Sequence, residues 1–228
     1  MAEYTAQGLL LQSGDGASPE KFTTVATVRS VSGPSIEHEA VDVTGLEDTL
    51  AQYVARGYAD LGEVGFEVVF DPGTSSIHDT LVDRGIAGTA HNYWVCWSND
   101  IAGSKDTSAV DTGTEIITFG AAHGLHTGQP IQVASTVTMP APLVVNTTYY
   151  VIYDGVTTIQ VATTNANAVA GTAINLTGAG AGTISVKYGT KWMFSGILTG
   201  AEPSGGLGEA LTGTLTLKAT AAVTTAGA

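Results

Sequence analysis

The chain is poor in basic residues, in cysteine and in long apolar runs. Its 228 residues include 8 Lys and Arg against 21 Asp and Glu, so the formal net charge is −13. Tight binding to nucleic acid or to an anionic membrane depends on Lys and Arg, so this charge argues against both functions. The single cysteine, Cys96, excludes an intrachain disulfide and indicates a reducing compartment.

No apolar run approaches the roughly 18 residues that a membrane span needs. The N-terminal residues also lack the basic and apolar regions of a signal peptide, so we expect a protein that is made in a cytoplasm. Charged residues are only 13% of the chain, whereas Gly occurs 29 times and Thr is abundant. This composition favours β structure with many turns.

Charge is unevenly distributed along the chain. Between Lys105 and Lys187 there is no Lys or Arg, and only 4 of the 21 acidic residues lie there. We therefore predict a discontinuous domain, 1–104 plus 187–228, that is interrupted by an inserted domain, 105–186. An insertion of this kind is tolerated where a surface loop of the host domain can open without disturbing the core.

The aromatic strands on either side of the insertion, 93–97 and 192–194, are predicted to pair with each other. The strand at 92–98 is apolar on both faces, which is typical of a central strand that is covered on both sides. Together they predict that the two segments of the host domain close into one fold.

Apolar residues at every second position predict amphipathic strands at 63–70 and at 209–218. Ser76 is a candidate helix N-cap, and Gly85 lies where the residue after a helix is expected. With the neighbouring patterns, the host domain is predicted to contain about six strands and one short α-helix. The expected fold class is therefore mainly β, a small β-sandwich or barrel-like fold interrupted by an all-β domain.

Residues 44–60 carry conflicting signals. Thr44 and Glu47 have the spacing of a helix capping box. A possible helical stripe follows, formed by Leu46, Leu50, Tyr53 and Val54. Local signals alone favour a helix here.

The inserted segment is predicted to be a compact all-β module, because Gly, Asn and Pro turns separate short strands at regular spacing. The predicted strands are 114–119, 130–137, 147–153, 158–162 and 183–186. The sequence of residues 164–171 is compatible with either a short helical turn or an irregular loop.

No residue pattern indicates catalysis, a cofactor or a metal. His123 and His126 are three residues apart, but no carboxylate or cysteine lies nearby to complete a zinc site. Cys96 is predicted to be buried between Trp94 and Trp97, and burial makes a thiol inert. Nucleotide-binding loops and a nucleophile elbow are absent from the sequence, so we do not expect an enzyme.

Several segments of the host domain resemble the major tail tube protein of long-tailed bacteriophages. They are Gly8-Leu-Leu-Leu11, Val41-Asp-Val-Thr-Gly-Leu46, Asp60-Leu-Gly-Glu-Val-Gly-Phe66 and Phe70-Asp-Pro72, followed by a helix with His78 and Leu81 and by an aromatic strand. The inserted segment, with Ala122-His-Gly-Leu-His-Thr-Gly128, is similar to a small β module of phage structural proteins.

The resemblance implies a subunit of hexameric rings that stack into a hollow tube around a tape-measure protein. Tail terminator and tip proteins are further implied partners, and DNA passes through the tube without specific binding. The protein would then be assembled in the bacterial cytoplasm and located in the virion tail, with no membrane partner. Acidic residues of the host domain would line the lumen, with the inserted domain outside.

In the same resemblance, residues 45–60 form an extended loop that is mobile in the free subunit and reaches the next ring. Ring-to-ring contacts are then expected from four apolar residues: Leu46, Leu50, Tyr53 and Val54.

The alternative interpretation is a β-sandwich module that binds carbohydrate or another surface ligand, in a phage or a cell-surface protein. Tyr149, Tyr150 and Tyr153 of the inserted segment would supply its stacking faces. Rings or tubes in electron micrographs distinguish the two interpretations.

Overall fold

The computed structural model describes residues 9–25, 28–33, 37–47, 49–60, 62–73, 76–97, 103–207, 209–221 and 224–226. The described strands are β1 Leu9–Gly14, β2 Phe22–Val25, β3 Val28–Ser32, β4 Glu37–Asp42, β5 Tyr53–Asp60, β6 Glu63–Val69, β7 His91–Trp97, β8 Gly103–Asp111, β9 Ile116–Phe119, β10 Pro130–Ser135, β11 Thr148–Tyr153, β12 Thr158–Ala162, β13 Ile184–Tyr188, β14 Lys191–Ser204, β15 Thr212–Ala219 and β16 Thr224–Ala226. The described helices are α1 Ile77–Ala87 and α2 Asn165–Ala170. The predicted mainly-β fold class is confirmed. Neither helix has the length and apolar character that a membrane crossing requires.

Eight strands form one antiparallel sheet in the order β2-β1-β7-β14-β15-β6-β3, with β16 beside the start of β14. Strands β7 and β14 are neighbours, with Tyr93 opposite Phe194, so the predicted pairing of the two aromatic strands is confirmed. Strand β1 also approaches β3, although four strands separate them in the sheet order. The sheet is therefore rolled, and α1 packs against β14 and β2.

The core of the sheet follows the predicted alternation. Val64, Phe66 and Val68 of β6 are buried together with Leu215 and Leu217 of β15. Leu81 of α1 joins the same cluster. The segments predicted to form the host domain contain more strands than the roughly six predicted. The prediction was too low because several of these strands are short or largely polar.

Helix α1 begins as predicted but ends later. The Ser76 hydroxyl accepts a hydrogen bond from the Asp79 amide at 3.1 Å, which confirms the N-cap. The prediction that Gly85 ends the helix is wrong, because the left-handed residue that ends it is Gly88, with φ 63°. A Cβ atom at Gly85 would lie 3.1 Å from Leu198 Cδ2, so this glycine lets the helix approach β14 closely.

Strand β7 is covered on both faces, as predicted. Tyr93 and Val95 belong to the core of the rolled sheet. Trp94 and Cys96 are buried on the opposite face. The cover on that second face comes from the module described next.

Strands β8 to β13 form a closed barrel in the order β10-β11-β12-β9-β8-β13. Its interior is filled by residues that include Ile117, Val133, Val151, Ile159 and Val186. All five predicted strands of this segment are present, with ends shifted by a few residues. Strand β8 was not predicted, because its residues are half-buried or exposed and show no apolar alternation. Residues 164–171, which were predicted to form either a helical turn or a loop, contain helix α2.

Strands β4 and β5 pair only with each other among the described residues, as a separate two-stranded sheet. The predicted loop at 45–60 is therefore a strand from Tyr53 onward, and the unpaired part is its tip. The local helix signals of this segment do not produce a helix among its described residues.

Candidate assembly surfaces and the barrel contact

The β4–β5 hairpin exposes apolar side chains on both faces. Val41 lies opposite Val54, and Asp42 lies opposite Tyr53. Opposed residues share a face and successive residues alternate, so Tyr53 and Val54 point to opposite sides. Their exposed fractions are 63% for Tyr53 and 56% for Val54. Among the described residues, apolar side chains on both faces of the hairpin remain exposed within one subunit.

The base of the hairpin tip is closed by hydrogen bonds of Thr44. Its hydroxyl accepts from the Gln52 amide at 2.9 Å and donates to the Asp42 carboxylate. The Thr44 amide also donates to Asp42 at 2.9 Å, and these bonds from Thr44 lower the pKa of Asp42. Thr44 thus bonds across the hairpin to a residue eight positions later, which explains why its capping-box spacing does not start a helix.

Two leucines of the tip extend the apolar surface. The exposed fraction is 108% for Leu46 and 79% for Leu50. The four residues predicted to contact the next ring thus lie on one hairpin, although they do not share a face. Sequence reasoning missed Val41 and Val43, which are 41% and 50% exposed. The only sequence feature that pointed to these two valines is their position on either side of Asp42, and this apolar alternation also fits an ordinary buried strand.

The outer face of β14, β15, β6 and β3 carries carboxylates and hydroxyl groups. One row crosses the four strands and is exposed throughout: Glu202, Thr214, Glu67 and Ser30. Glu63 lies on the same face, opposite Lys218. The row is acidic and contains no basic side chain. The buried positions of the same strands alternate with it, so these four strands have an apolar face toward the core and a polar, mainly acidic face on the other side.

The barrel is bonded to the edge of the sheet through β2. The Phe22 amide donates to the Thr127 carbonyl at 2.9 Å. The Thr24 amide donates to Asn165 Oδ1, and Asn165 Nδ2 donates to the Phe22 carbonyl, both at 2.9 Å. Gln12, which is fully buried, donates through Nε2 to the Gly128 carbonyl at 2.6 Å. Side chains of the sheet and of the barrel therefore both form hydrogen bonds across the contact.

Aromatic rings fill the contact beside these bonds. Phe22 stacks on Trp94 with ring centroids 3.5 Å apart. His126 of the barrel meets Trp94 edge-on at 5.1 Å between centroids. Burial lowers the pKa of His126 to about 4, with the positive charge of Lys191 contributing in the same direction. His126 is therefore a neutral packing residue at neutral pH.

Lys191 is the buried cation of this contact, with an exposed fraction of 2%. Its Nζ donates to Gln129 Oε1 at 3.1 Å and lies 4.2 Å from the centroid of the Trp94 ring. Burial lowers the pKa of Lys191 to about 8. The sequence alone gave no sign of this role, because the partners of Lys191 lie about 60 and 100 positions away.

Lys191 makes the stability of the subunit depend on pH. Its pKa is lowered from 10.5 to about 8, so the unfolded chain binds more protons than the folded chain between these values. The free energy of unfolding should then rise with pH in that window, by about 1 kcal/mol between pH 8 and 9. The Cys96 thiol opposes the trend, because burial raises its pKa from 9.0 to about 12. This opposition begins near pH 8, where the unfolded thiol starts to lose its proton, and it grows above pH 9, so the net rise in the wild type is smaller than that from Lys191 alone.

Urea unfolding of the wild type, Lys191→Met and Lys218→Met at pH 8 and 9 measures this effect. We expect the rise in the wild type and in the Lys218→Met control, and no rise in Lys191→Met. An equal rise in all three proteins would contradict the assignment.

The two histidines predicted to lie outside a metal site have packing and turn roles. His123 is fully buried and accepts through Nδ1 from the Leu125 amide at 2.9 Å, so its Nε2 donates to the Gly155 carbonyl at 2.7 Å. Burial lowers the pKa of His123, which keeps this neutral form. No cluster of His, Cys, Asp or Glu among the described residues has the composition of a metal site. Cys96 is buried as predicted.

The tyrosines of the alternative interpretation do not form a stacking platform. Tyr149 is 6% exposed and belongs to the barrel core, where its hydroxyl accepts from the Val144 amide at 2.8 Å. Tyr150 packs on the cluster beneath α2, and Tyr153 lies against His123. A flat set of exposed rings for a sugar is therefore not present at these three positions.

Comparison with known proteins places the chain in a family. A family model described as "Phage tail tube, TTP, lambda-like" matches residues 3–188. A comparison with curated proteins found no match. Among solved structures, the chain is similar to one described as "Cryo-EM structure of the anti-feeding prophage (AFP) baseplate, 6-fold symmetrised", with 9% identity and a TM-score of 0.44, over 100% of this chain and 97% of that chain. That likeness is too weak to carry an argument. The family match spans most of the sequence, and the chain belongs to the lambda-like phage tail tube proteins, a structural family and not one of enzymes.

Proposed function

We propose that this chain forms closed, hexameric rings that stack into the hollow tail tube through which phage DNA passes. As a tail tube family member, it is a structural component of the phage tail. The observation that carries the proposal is the β4–β5 hairpin, whose apolar residues are exposed on both faces and at the tip. Exposed apolar patches of this kind are typical of surfaces that another protein covers.

A stacked ring supplies two different neighbours to such a hairpin. A subunit in a ring contacts an adjacent subunit, and it contacts the next ring through the part that extends from the ring plane. Covering both faces of one hairpin requires partners on both sides. Leu46, Leu50, Tyr53 and Val54 are proposed as the ring-to-ring contacts, with Val41 and Val43 on the face shared with Val54.

We propose the acidic row Glu202–Thr214–Glu67–Ser30 as part of the lumen. An anionic, hydroxyl-lined surface repels the phosphate backbone, so DNA slides past it without binding. The opposite face of these strands is the apolar core, which leaves the acidic face free for the lumen. The barrel, with 4 of the 21 acidic residues at 105–186, is proposed to lie outside the tube.

The remaining assignments follow from this role. The tube encloses a tape-measure protein and ends on terminator and tip proteins, and the particle is assembled in the bacterial cytoplasm. The inserted domain is proposed to be the barrel, with the predicted boundaries of 105–186 widened to 103–188 by the pairing of β8 with β13.

Negative-stain electron microscopy of the purified, concentrated protein tests the proposal. We expect closed rings and stacked tubes with a central channel, and six-fold symmetry in averaged end views. A protein that stays monomeric at every concentration, or that forms filaments without a channel, would exclude this function.

A further inference from the structure

Among the described residues, the outer edge of β2 is covered by the barrel and not by another strand. Three of its backbone groups bond to barrel residues: the Phe22 amide, the Phe22 carbonyl and the Thr24 amide. In the part of the chain that the structure describes, β2 is the last strand at its end of the sheet. An edge of this kind normally exposes these groups to water or to a strand of another chain.

Asn165 takes the place of a strand residue at this edge. In a parallel ladder, one residue donates to the carbonyl of one neighbour and accepts from the amide two positions later. The side-chain amide of Asn165 makes the same pair of bonds, to the Phe22 carbonyl and the Thr24 amide, on either side of Thr23. It continues the parallel bridge between Lys21 and Thr127. The barrel therefore imitates an additional strand with a main-chain bridge and one side chain.

The position of Asn165 is held from both sides. It is the first residue of α2, whose N-cap Thr164 accepts from the Asn167 amide at 3.1 Å. Gly128, with φ +90°, lets the barrel backbone approach β2, since a Cβ atom there would lie 2.0 Å from the Phe22 carbonyl oxygen. The Gly128 carbonyl accepts from both Asn165 and Gln12. These hydrogen bonds and the close approach at Gly128 fix the barrel in one position against β2.

We infer that the inserted barrel is an edge cap that prevents β2 from adding a strand of a second copy of this chain. The opposite end of the sheet differs, because β3 has no second strand partner among the described residues. A sheet with two open edges can add copies without limit. With β2 capped, edge-to-edge growth of free subunits is blocked at one end. This gives the barrel a role in the subunit before any tube forms.

The first test compares Asn165→Ala with the matched control Asn167→Ala. Asn167 lies on the same helix, and its side-chain Nδ2 donates to the Thr163 hydroxyl within the barrel. In Asn165→Ala we expect amide exchange at Thr24 to be about tenfold faster, which is the loss of one hydrogen bond. We also expect concentration-dependent self-association in sedimentation velocity, with unchanged circular dichroism. Asn167→Ala should match the wild type in both measurements.

A double variant shows whether the association uses the β2 edge. Asn165→Ala combined with Thr24→Pro removes the amide that a second copy would use, and proline is tolerated on an edge strand whose N–H points outward. The double variant should be monodisperse again.

Two outcomes would overturn the inference. One is an Asn165→Ala subunit that stays monodisperse although Thr24 exchanges fast. The other is self-association that persists in the double variant. Both readouts concern the free subunit, so they are independent of whether rings and tubes form in electron micrographs.

Discussion

Replacing both tip leucines with aspartate, Leu46→Asp and Leu50→Asp, should abolish tube formation and leave the subunit folded. Both side chains are almost fully exposed in the single subunit, and exposed substitutions usually change stability by less than about 0.5 kcal/mol. In the assembled tube, the same positions would bury two unpaired carboxylates in an apolar contact, which is strongly unfavourable. Because the contact repeats in every subunit, the loss should be complete.

Electron microscopy and thermal unfolding together measure this effect. The matched control is Val137→Asp on the barrel, where the valine is 73% exposed against 79% for Leu50. We expect tubes in the control and none in the double variant, with equal unfolding temperatures for both. Normal tubes from the double variant would show that the hairpin tip is not an assembly contact.

The parts of the fold that sequence reasoning predicted best are those with a local signal of period two. In β6, the buried residues Val64, Phe66 and Val68 alternate with exposed or half-buried ones, so one face could be assigned to the core from the sequence. The burial of both faces of β7 could also be predicted from the sequence, because both of its faces are apolar. The Ser76 cap is equally local, since its partner is three residues away.

The features that were missed depend on partners far away in sequence. Strand β8 has no apolar alternation, and it is a strand because β9 and β13 pair with it. Gly85 looks like a helix end, but its close approach to Leu198 across 113 positions keeps it inside α1. Thr44 has the spacing of a cap, yet its hydroxyl bonds to Gln52 across a hairpin. In such cases the local sequence fits two different structures equally well, and tertiary contacts determine which of them forms.

The candidate surfaces show the same division. Leu46, Leu50, Tyr53 and Val54 were predicted as ring-to-ring contacts from the resemblance to tail tube proteins. That Tyr53 and Val54 lie on opposite faces could be seen only from the register of β4 and β5. The acidic row required the register of four strands. Asn165 and Lys191 were missed entirely, since a polar residue carries no sequence mark of the backbone group or ring that it contacts.

Reversing the two acids of the proposed lumen row, Glu67→Lys and Glu202→Lys, should convert a tube that repels DNA into one that binds it. The change replaces two negative charges by two positive charges per subunit, a shift of +4, at exposed positions on one face. Each phosphate that a new lysine neutralises contributes about −0.9 to the slope of log K against log salt for duplex DNA. Binding should therefore be strong at low salt and fall steeply as salt is raised, and passage of DNA through the assembled tube should slow.

The control with the same charge change is Asp106→Lys and Asp154→Lys on the barrel, where both acids are exposed. Fluorescence anisotropy with a short duplex, at several salt concentrations, measures affinity for tubes of each variant, and ejection of DNA from reconstituted particles measures passage. We expect slower ejection for the lumen variant alone, because charge on the outside of the tube does not lie along the path of the DNA. If the barrel variant slowed ejection and the sheet variant did not, the barrel would have to face the lumen, and the acidic face of the sheet would have to lie outside.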